Sequence, residues 1–143
     1  MEILENHVFV VAVVAWAIAQ ALKVIVLLIR TRKFDLSRLV GSGGMPSSHS
    51  ALVTSLAAAI AQADGVRSSS FALAAVFAAV VMYDAAGIRQ AVSIQARMLN
   101  RLIDEYFRTQ EWDEKRLREL LGHTRLEVGA GFLLGLAIAV LWR

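Results

Sequence analysis

No cysteine occurs among the 143 residues, which excludes disulfides, thiolate zinc sites and cysteine nucleophiles and leaves the redox compartment unread. There is one proline, Pro46. The three histidines, His7, His49 and His123, offer no pair at i,i+4 on one helix, so no metal motif is present and no metal or other cofactor is expected. The net charge of +3 is small, and the basic residues are not interleaved with stacking aromatics, so nucleic acid is not an expected partner. The start, Met1-Glu2-Ile3-Leu4-Glu5, lacks a basic n-region and no small-residue cleavage site follows, so the first apolar run is expected to be retained. Internal repeats and low-complexity tracts are missing as well.

What is present is apolar. Hydrophobic residues make up 57% of the chain and mean hydropathy is +0.58, so much of its solvent is expected to be lipid. The length fits one domain, 1–143. Val8 to Ile29 is apolar apart from Gln20 and Lys23 and would reach about 33 Å as a helix, enough to cross a bilayer core. Gln20, Lys23 and Arg30 share one face of it. An intramembrane Lys either serves function or snorkels to the interface. A second helix runs from Ser48 to about Ala63, with Ala51, Ser55 and Ala59 forming a small-residue seam. A third runs from Ser70 to about Ile88 and carries Asp84; on a continuous helix Asp84 and Arg89 would stand about 140° apart and would not pair.

From Ile88 to Phe107 the pattern turns amphipathic, which suits a helix lying on the membrane or on the bundle. A second short amphipathic helix, about Trp112 to Leu121, would end at Gly122 as its C′ residue. The last helix begins at Thr124-Arg125-Leu126-Glu127, reaches Trp142, and carries a second small-residue face at Gly131, Gly135 and Ala139. Its apolar part spans only some 22 Å, so it is expected to tilt little or to pack inside the bundle. The expected architecture is therefore all-α: a polytopic membrane helical bundle of about four spanning helices plus amphipathic interfacial helices. Four spans put loops 30–47 and 89–128 on one side, and Arg32, Lys33, Arg38, Arg97, Arg101 and Arg108 assign that side to the cytoplasm. His7, on the other side, is expected to be interfacial.

The stretch Gly41-Ser42-Gly43-Gly44-Met45-Pro46-Ser47-Ser48-His49-Ser50 organises the rest. Its glycines allow a sharp bend and close approach to a ligand. The helix that follows puts Ser47, Ser48 and His49 at an N-cap and first turn, where free N–H groups and the dipole attract anions. A bland alternative is an ordinary serine cap beside an incidental histidine.

Pro46-Ser47-Ser48-His49, with Lys23 and Arg30 upstream and His123 and Glu127 downstream, resembles the type 2 phosphatidic acid phosphatases, relatives of bacterial acid phosphatases and vanadium haloperoxidases. Gly43-Gly44-Met45-Pro46-Ser47-Ser48-His49, Met82-Tyr83-Asp84-Ala85-Ala86-Gly87-Ile88-Arg89 and Leu121-Gly122-His123-Thr124 look more closely like the small divergent PAP2 membrane proteins, over about Gln20 to Gly135. The resemblance implies a PAP2-like core in a bacterial-type plasma membrane. It implies a metal-independent phosphatase acting on a lipid phosphate monoester of phosphatidic acid, phosphatidylglycerol phosphate or polyprenyl phosphate type. His123 would attack phosphorus to form a phosphohistidine, Glu127 would orient it, and His49 would protonate the leaving oxygen. Lys23, Arg30, Ser47 and Ser48 would bind phosphate. Asp84 is an intramembrane acid that needs a partner and is counted with the catalytic candidates.

Departures from the family pattern are visible. Ser48 stands for a glycine and Thr31 for a proline, and Glu127 stands for an aspartate. The third motif lacks its Ser-Arg pair: Leu117 occupies the position, flanked by Arg116 and Arg118. Arg89 is the first candidate for the missing phosphate-binding Arg and Arg116 the second. Glu127 also completes a capping box with Thr124, and His123 after Gly122 could be a helix cap. The alternative function is a non-catalytic membrane protein that binds or transports a phosphorylated lipid. The small-residue faces suggest a homo-oligomer.

Overall fold

A computed structural model describes residues 2–32, 44–106 and 122–142. Among these residues there are five α-helices, a short 3-10 turn at Glu2–Leu4 and no strand. The helices are α1 (His7–Thr31), α2 (Ser48–Asp64), α3 (Ser69–Ala86), α4 (Ile88–Tyr106) and α5 (Arg125–Leu141). Each of the first three begins on a polar cap, with Asn6, Ser47 and Ser68 accepting from the backbone N–H of Phe9, Ser50 and Phe71. The short helix expected at 112–121 lies outside the described residues.

Helix α2 is the centre of the bundle and packs against α1, α3 and α5. Its small side chains allow this: Ala51 and Ser55 are fully buried and Ala59 nearly so. Gly131 and Gly135 of α5 lie against the backbone carbonyls of Ser47 and Ala51, where a Cβ would overlap the oxygen in each case. The two small-residue faces therefore meet each other, Gly-x3-Gly on Ser-x3-Ala, so the backbones approach closely. Further along, Val11 and Ala15 of α1 join Ala59 of α2 and Ile138 and Ala139 of α5 in one apolar cluster.

Among the described residues two stretches are long and apolar enough to cross a membrane, His7–Ile29 in α1 and Ser69–Glu105 across α3 and α4. Helices α2 and α5, at 17 residues each, reach about 25 Å and sit against their neighbours, as expected for the last helix. Leu73, Val76, Phe77 and Val80 of α3 are exposed, as suits a face that meets lipid. In α4 the buried stripe is Ser93, Ala96 and Asn100, while Val92, Leu99, Leu102 and Ile103 face outward. The apolar face of this amphipathic helix is thus turned away from the bundle.

His7 Nε2 lies 2.9 Å from the carbonyl oxygen of Trp142, which joins the start of α1 to the end of α5. The other end of the bundle holds the C-terminal half of α1, the starts of α2 and α5, and the α3–α4 junction. Every described residue singled out for phosphate chemistry lies there.

Candidate functional site

Two helix beginnings are held side by side. The backbone N–H of Ser47 donates to the carbonyl of Glu127 at 2.9 Å, tying the N-terminus of α2 to that of α5. The positive ends of two helix dipoles therefore converge on one place. His49 stands in the first turn of α2 and His123 immediately before α5; their rings are 6.3 Å apart between centroids and inclined at 62°.

His123 is 1% exposed and its backbone is fixed from two directions. Its N–H donates to the carbonyl of Ala85 in α3 at 3.1 Å, and the neighbouring Gly122 N–H donates to Ser93 Oγ in α4 at 2.9 Å. Gly122 lies so close to the α4 backbone that a Cβ would strike the Gln90 nitrogen. Close approach is what the structure shows for Gly122; the helix it was expected to terminate lies outside the described residues.

His123 Nδ1 is 3.3 Å from Glu127 Oε2, and that oxygen also accepts the Thr124 N–H at 2.9 Å. Thr124 Oγ1 in turn accepts the Glu127 N–H, completing the capping box. The capping and orienting readings of Glu127 are therefore not rivals, because one carboxylate does both. With Nδ1 directed at the carboxylate, the other ring nitrogen, Nε2, is buried and has no hydrogen-bond partner among the described residues. Burial pushes the His123 pKa below the ordinary imidazole value, the nearby charges of Lys23 and His49 push the same way, and Glu127 opposes them. The neutral imidazole, with a lone pair on Nε2, is the favoured form.

Lys23 is 4% exposed, so its ammonium does not snorkel to the interface. Gly44, with φ +92°, passes over its stem: a Cβ there would come within 3.2 Å of Lys23 Cγ, and the positive φ itself suits glycine. The Lys23 charge acts on Glu127, His49 and His123. Ser47 and Ser48 are buried. Ser47 Oγ accepts from the Ser50 N–H at 3.3 Å and the Ser50 hydroxyl at 3.1 Å, so only its own proton is left to offer an anion. His49 is exposed.

Asp84 and Arg89 correct the expectation drawn from a continuous helix. Arg89 Nε donates to Asp84 Oδ2 at 2.6 Å. Gly87, with φ −108° and ψ −84°, interrupts the helix between α3 and α4, so the 140° separation of a continuous helix does not apply. Both charges bear on His49. The Arg30 side chain, Arg116 and the first three residues of the glycine stretch, 41–43, lie outside the described residues.

Ser93 went unrecognised in the sequence. Its hydroxyl donates to the Arg89 carbonyl at 3.1 Å while accepting from Gly122, which positions the peptide before His123. The available signal was the small and polar stripe Ser93, Ala96, Asn100 on an otherwise amphipathic helix.

Residues 4–138 of the chain match the Divergent PAP2 family. The chain is 38% identical over 151 residues to the uncharacterized membrane protein YuiD of Bacillus subtilis (strain 168), covering 98% of this chain and 96% of that protein. No solved structure matches it.

Proposed function

The chain belongs to the divergent PAP2 family, and from that premise we propose that it is a membrane-embedded phosphatase hydrolysing a lipid phosphate monoester through a phosphohistidine on His123. The observation that carries the proposal is the imidazole of His123, with Nδ1 held by Glu127 and Nε2 buried, unpartnered among the described residues and close to a second histidine. In the first step the Nε2 lone pair attacks phosphorus, the ester P–O bond breaks, and protonated His49 gives its proton to the leaving oxygen. In the second, water attacks the phosphohistidine as His49 takes a proton from it, and the P–N bond breaks to release phosphate. Lys23 and the two helix N-termini stabilise charge on the phosphoryl oxygens, which is the main demand of phosphoryl transfer. The Bacillus relative is named a membrane protein, and for this chain the reading is a plasma membrane. The excess of basic residues in the flanking loops supports a site on the cytoplasmic face.

The test is phosphate release from phosphatidic acid by purified protein in excess chelator, blocked by vanadate, with an acid-labile phosphoenzyme trapped during turnover. One observation favours the second reading, a non-catalytic phospholipid binder: Arg89 is already paired with Asp84, which weakens it as a phosphate ligand. Headgroup binding without release from any lipid phosphate would establish that reading.

Glu127→Gln separates the two jobs of this side chain. Glutamine still completes a capping box, so stability should change by less than about 1 kcal/mol. The loss of charge beside Nδ1 should lower kcat by about 10²- to 10⁴-fold, as removal of a histidine-orienting carboxylate does elsewhere. Equal kcat in the two proteins would remove Glu127 from the mechanism.

The pH profile follows from the depressed pKa of His123. The nucleophile must be neutral and His49 protonated, so kcat/KM should be bell-shaped: it rises through an acid limb set by His123 and centred below the ordinary value of 6.5, and falls again as His49 loses its proton. Stability follows the same sign: it is full above 6.5 and falls as the pH drops toward the folded-state pKa, because the unfolded chain binds the proton first. An acid limb centred above 6.5 would contradict the assignment.

A further inference from the structure

Helix α4 has three distinct sides. Ser93, Ala96 and Asn100 are buried, and Ser93 meets Gly122 beside His123. About 110° around the helix from that stripe, Ile88, Val92, Met98, Leu99, Leu102 and Ile103 form an apolar face, each 40–60% exposed. Arg97 and Arg101 are exposed about 160° from the centre of that face. Among the described helices α4 touches α3 alone.

Length decides what the apolar face meets. As one rod, Ser69–Glu105 would reach about 55 Å, against a hydrocarbon core of about 30 Å. Helix α3, with its exposed apolar side, already takes about 27 Å of that core. Were α4 to continue along the same line, its six apolar side chains would stand in water. Gly87 interrupts the helix where the core would end, which frees α4 to enter the boundary between headgroups and acyl chains. There the three sides have three surroundings: acyl chains under the apolar face, protein along the Ser93 stripe, and water and headgroups around Arg97 and Arg101.

We propose that α4 lies in the plane of the lipid interface with its apolar face inward, and that its contact with Gly122 holds the His49–His123 site at the depth of the lipid phosphates. The depth follows from the angles. With the apolar face pointing into the bilayer, the Ser93 stripe points sideways, so Gly122 and His123 lie level with α4 and neither above nor below it. The seating of α4 requires no catalysis. What it adds to the phosphatase reading is that a phosphate would reach His123 while its lipid stays in the bilayer.

The experiment exploits the absence of cysteine, since one introduced thiol then carries one nitroxide. Leu99→Cys, Leu102→Cys, Arg97→Cys and Arg125→Cys, all at exposed positions, are labelled in the full chain and placed in phosphatidylcholine–phosphatidylglycerol vesicles. Collision with oxygen, which concentrates among acyl chains, and with a water-soluble nickel chelate gives the depth of each label. Labels at 99 and 102 should lie about 5–10 Å below the phosphates and favour oxygen, while the label at 97 favours nickel. The label at 125, two residues from His123, should lie within about 5 Å of the phosphate plane. Met98→Cys and Ile103→Cys, on the same face, replace either α4 variant that fails to fold. Nickel access on the apolar face equal to that at 97 would mean that α4 stands in water. Shielding of that face from both reagents would mean that protein covers it, and either result overturns the proposal. A label at 125 more than about 10 Å from the phosphate plane in either direction would overturn the placement of the site. Phosphate release plays no part in the readout, so the hydrolase reading and this one can fail separately.

Discussion

Replacing His123 with alanine should reduce phosphate release by about four to six orders of magnitude, the scale on which removing a covalent nucleophile acts. No other described group can take over the role. The His49 ring is exposed, and no carboxylate hydrogen bond holds one of its nitrogens as Glu127 holds Nδ1 of His123. Because His123 is buried, its removal also leaves a cavity, so the alanine variant alone would confound chemistry with packing. His123→Gln supplies the control: it fills most of the volume, can meet the Glu127 carboxylate with its amide, and has no nucleophilic nitrogen. Both variants should lose the trapped phosphoenzyme while the glutamine protein keeps its melting temperature. Release within about tenfold of the unaltered protein in His123→Gln would end the phosphohistidine mechanism.

The second large effect concerns folding. Gly131→Ala should destabilise the protein by about 1–3 kcal/mol or more, the range of an overpacked core. In an exposed helix interior the same change stabilises, because alanine forms helix better than glycine by about 1 kcal/mol. The sign is reversed here because the new methyl group would meet a backbone carbonyl, that of Ser47, which has no rotamer with which to yield. The damage should reach the site, since moving α5 off α2 lengthens the Ser47 N–H to Glu127 carbonyl bond of 2.9 Å. Gly129, two residues away on the same helix, has open space where its Cβ would be, so Gly129→Ala should be neutral or stabilising by up to about 1 kcal/mol. Thermal denaturation in detergent, run on both variants, checks the contrast. Equal melting temperatures for the two would show that the α2–α5 seam is looser than described.

Features legible in the sequence are those set by neighbours along the chain. The caps at Ser47 and Thr124 depend on a side chain reaching a backbone three residues on, and both are present. The helix over Ile88–Tyr106 follows from its periodicity, and the small-residue faces of α2 and α5 from their four-residue spacing, whereas that spacing suggested contact between copies of the chain and packing pairs the two faces within one. The misread pair, Asp84 and Arg89, failed for a local reason: one glycine between them interrupts the helix that the geometry assumed. Lys23 could have faced the interface or the interior on sequence grounds; the packing of Gly44 over its stem places it inside.

By itself the sequence determined an all-helical, lipid-compatible chain with two polar helix entrances, because hydrophobic period, caps and breakers act over a few residues. Only the tertiary structure decided that His49 and His123, 74 positions apart in the chain, stand ring to ring. It likewise decided that Ser93 holds the peptide before one of them and that an apolar groove opens between α2, α3 and α5. Those outcomes depend on how closely helix backbones can approach, which the small residues of α2 and α5 permit but do not by themselves orient.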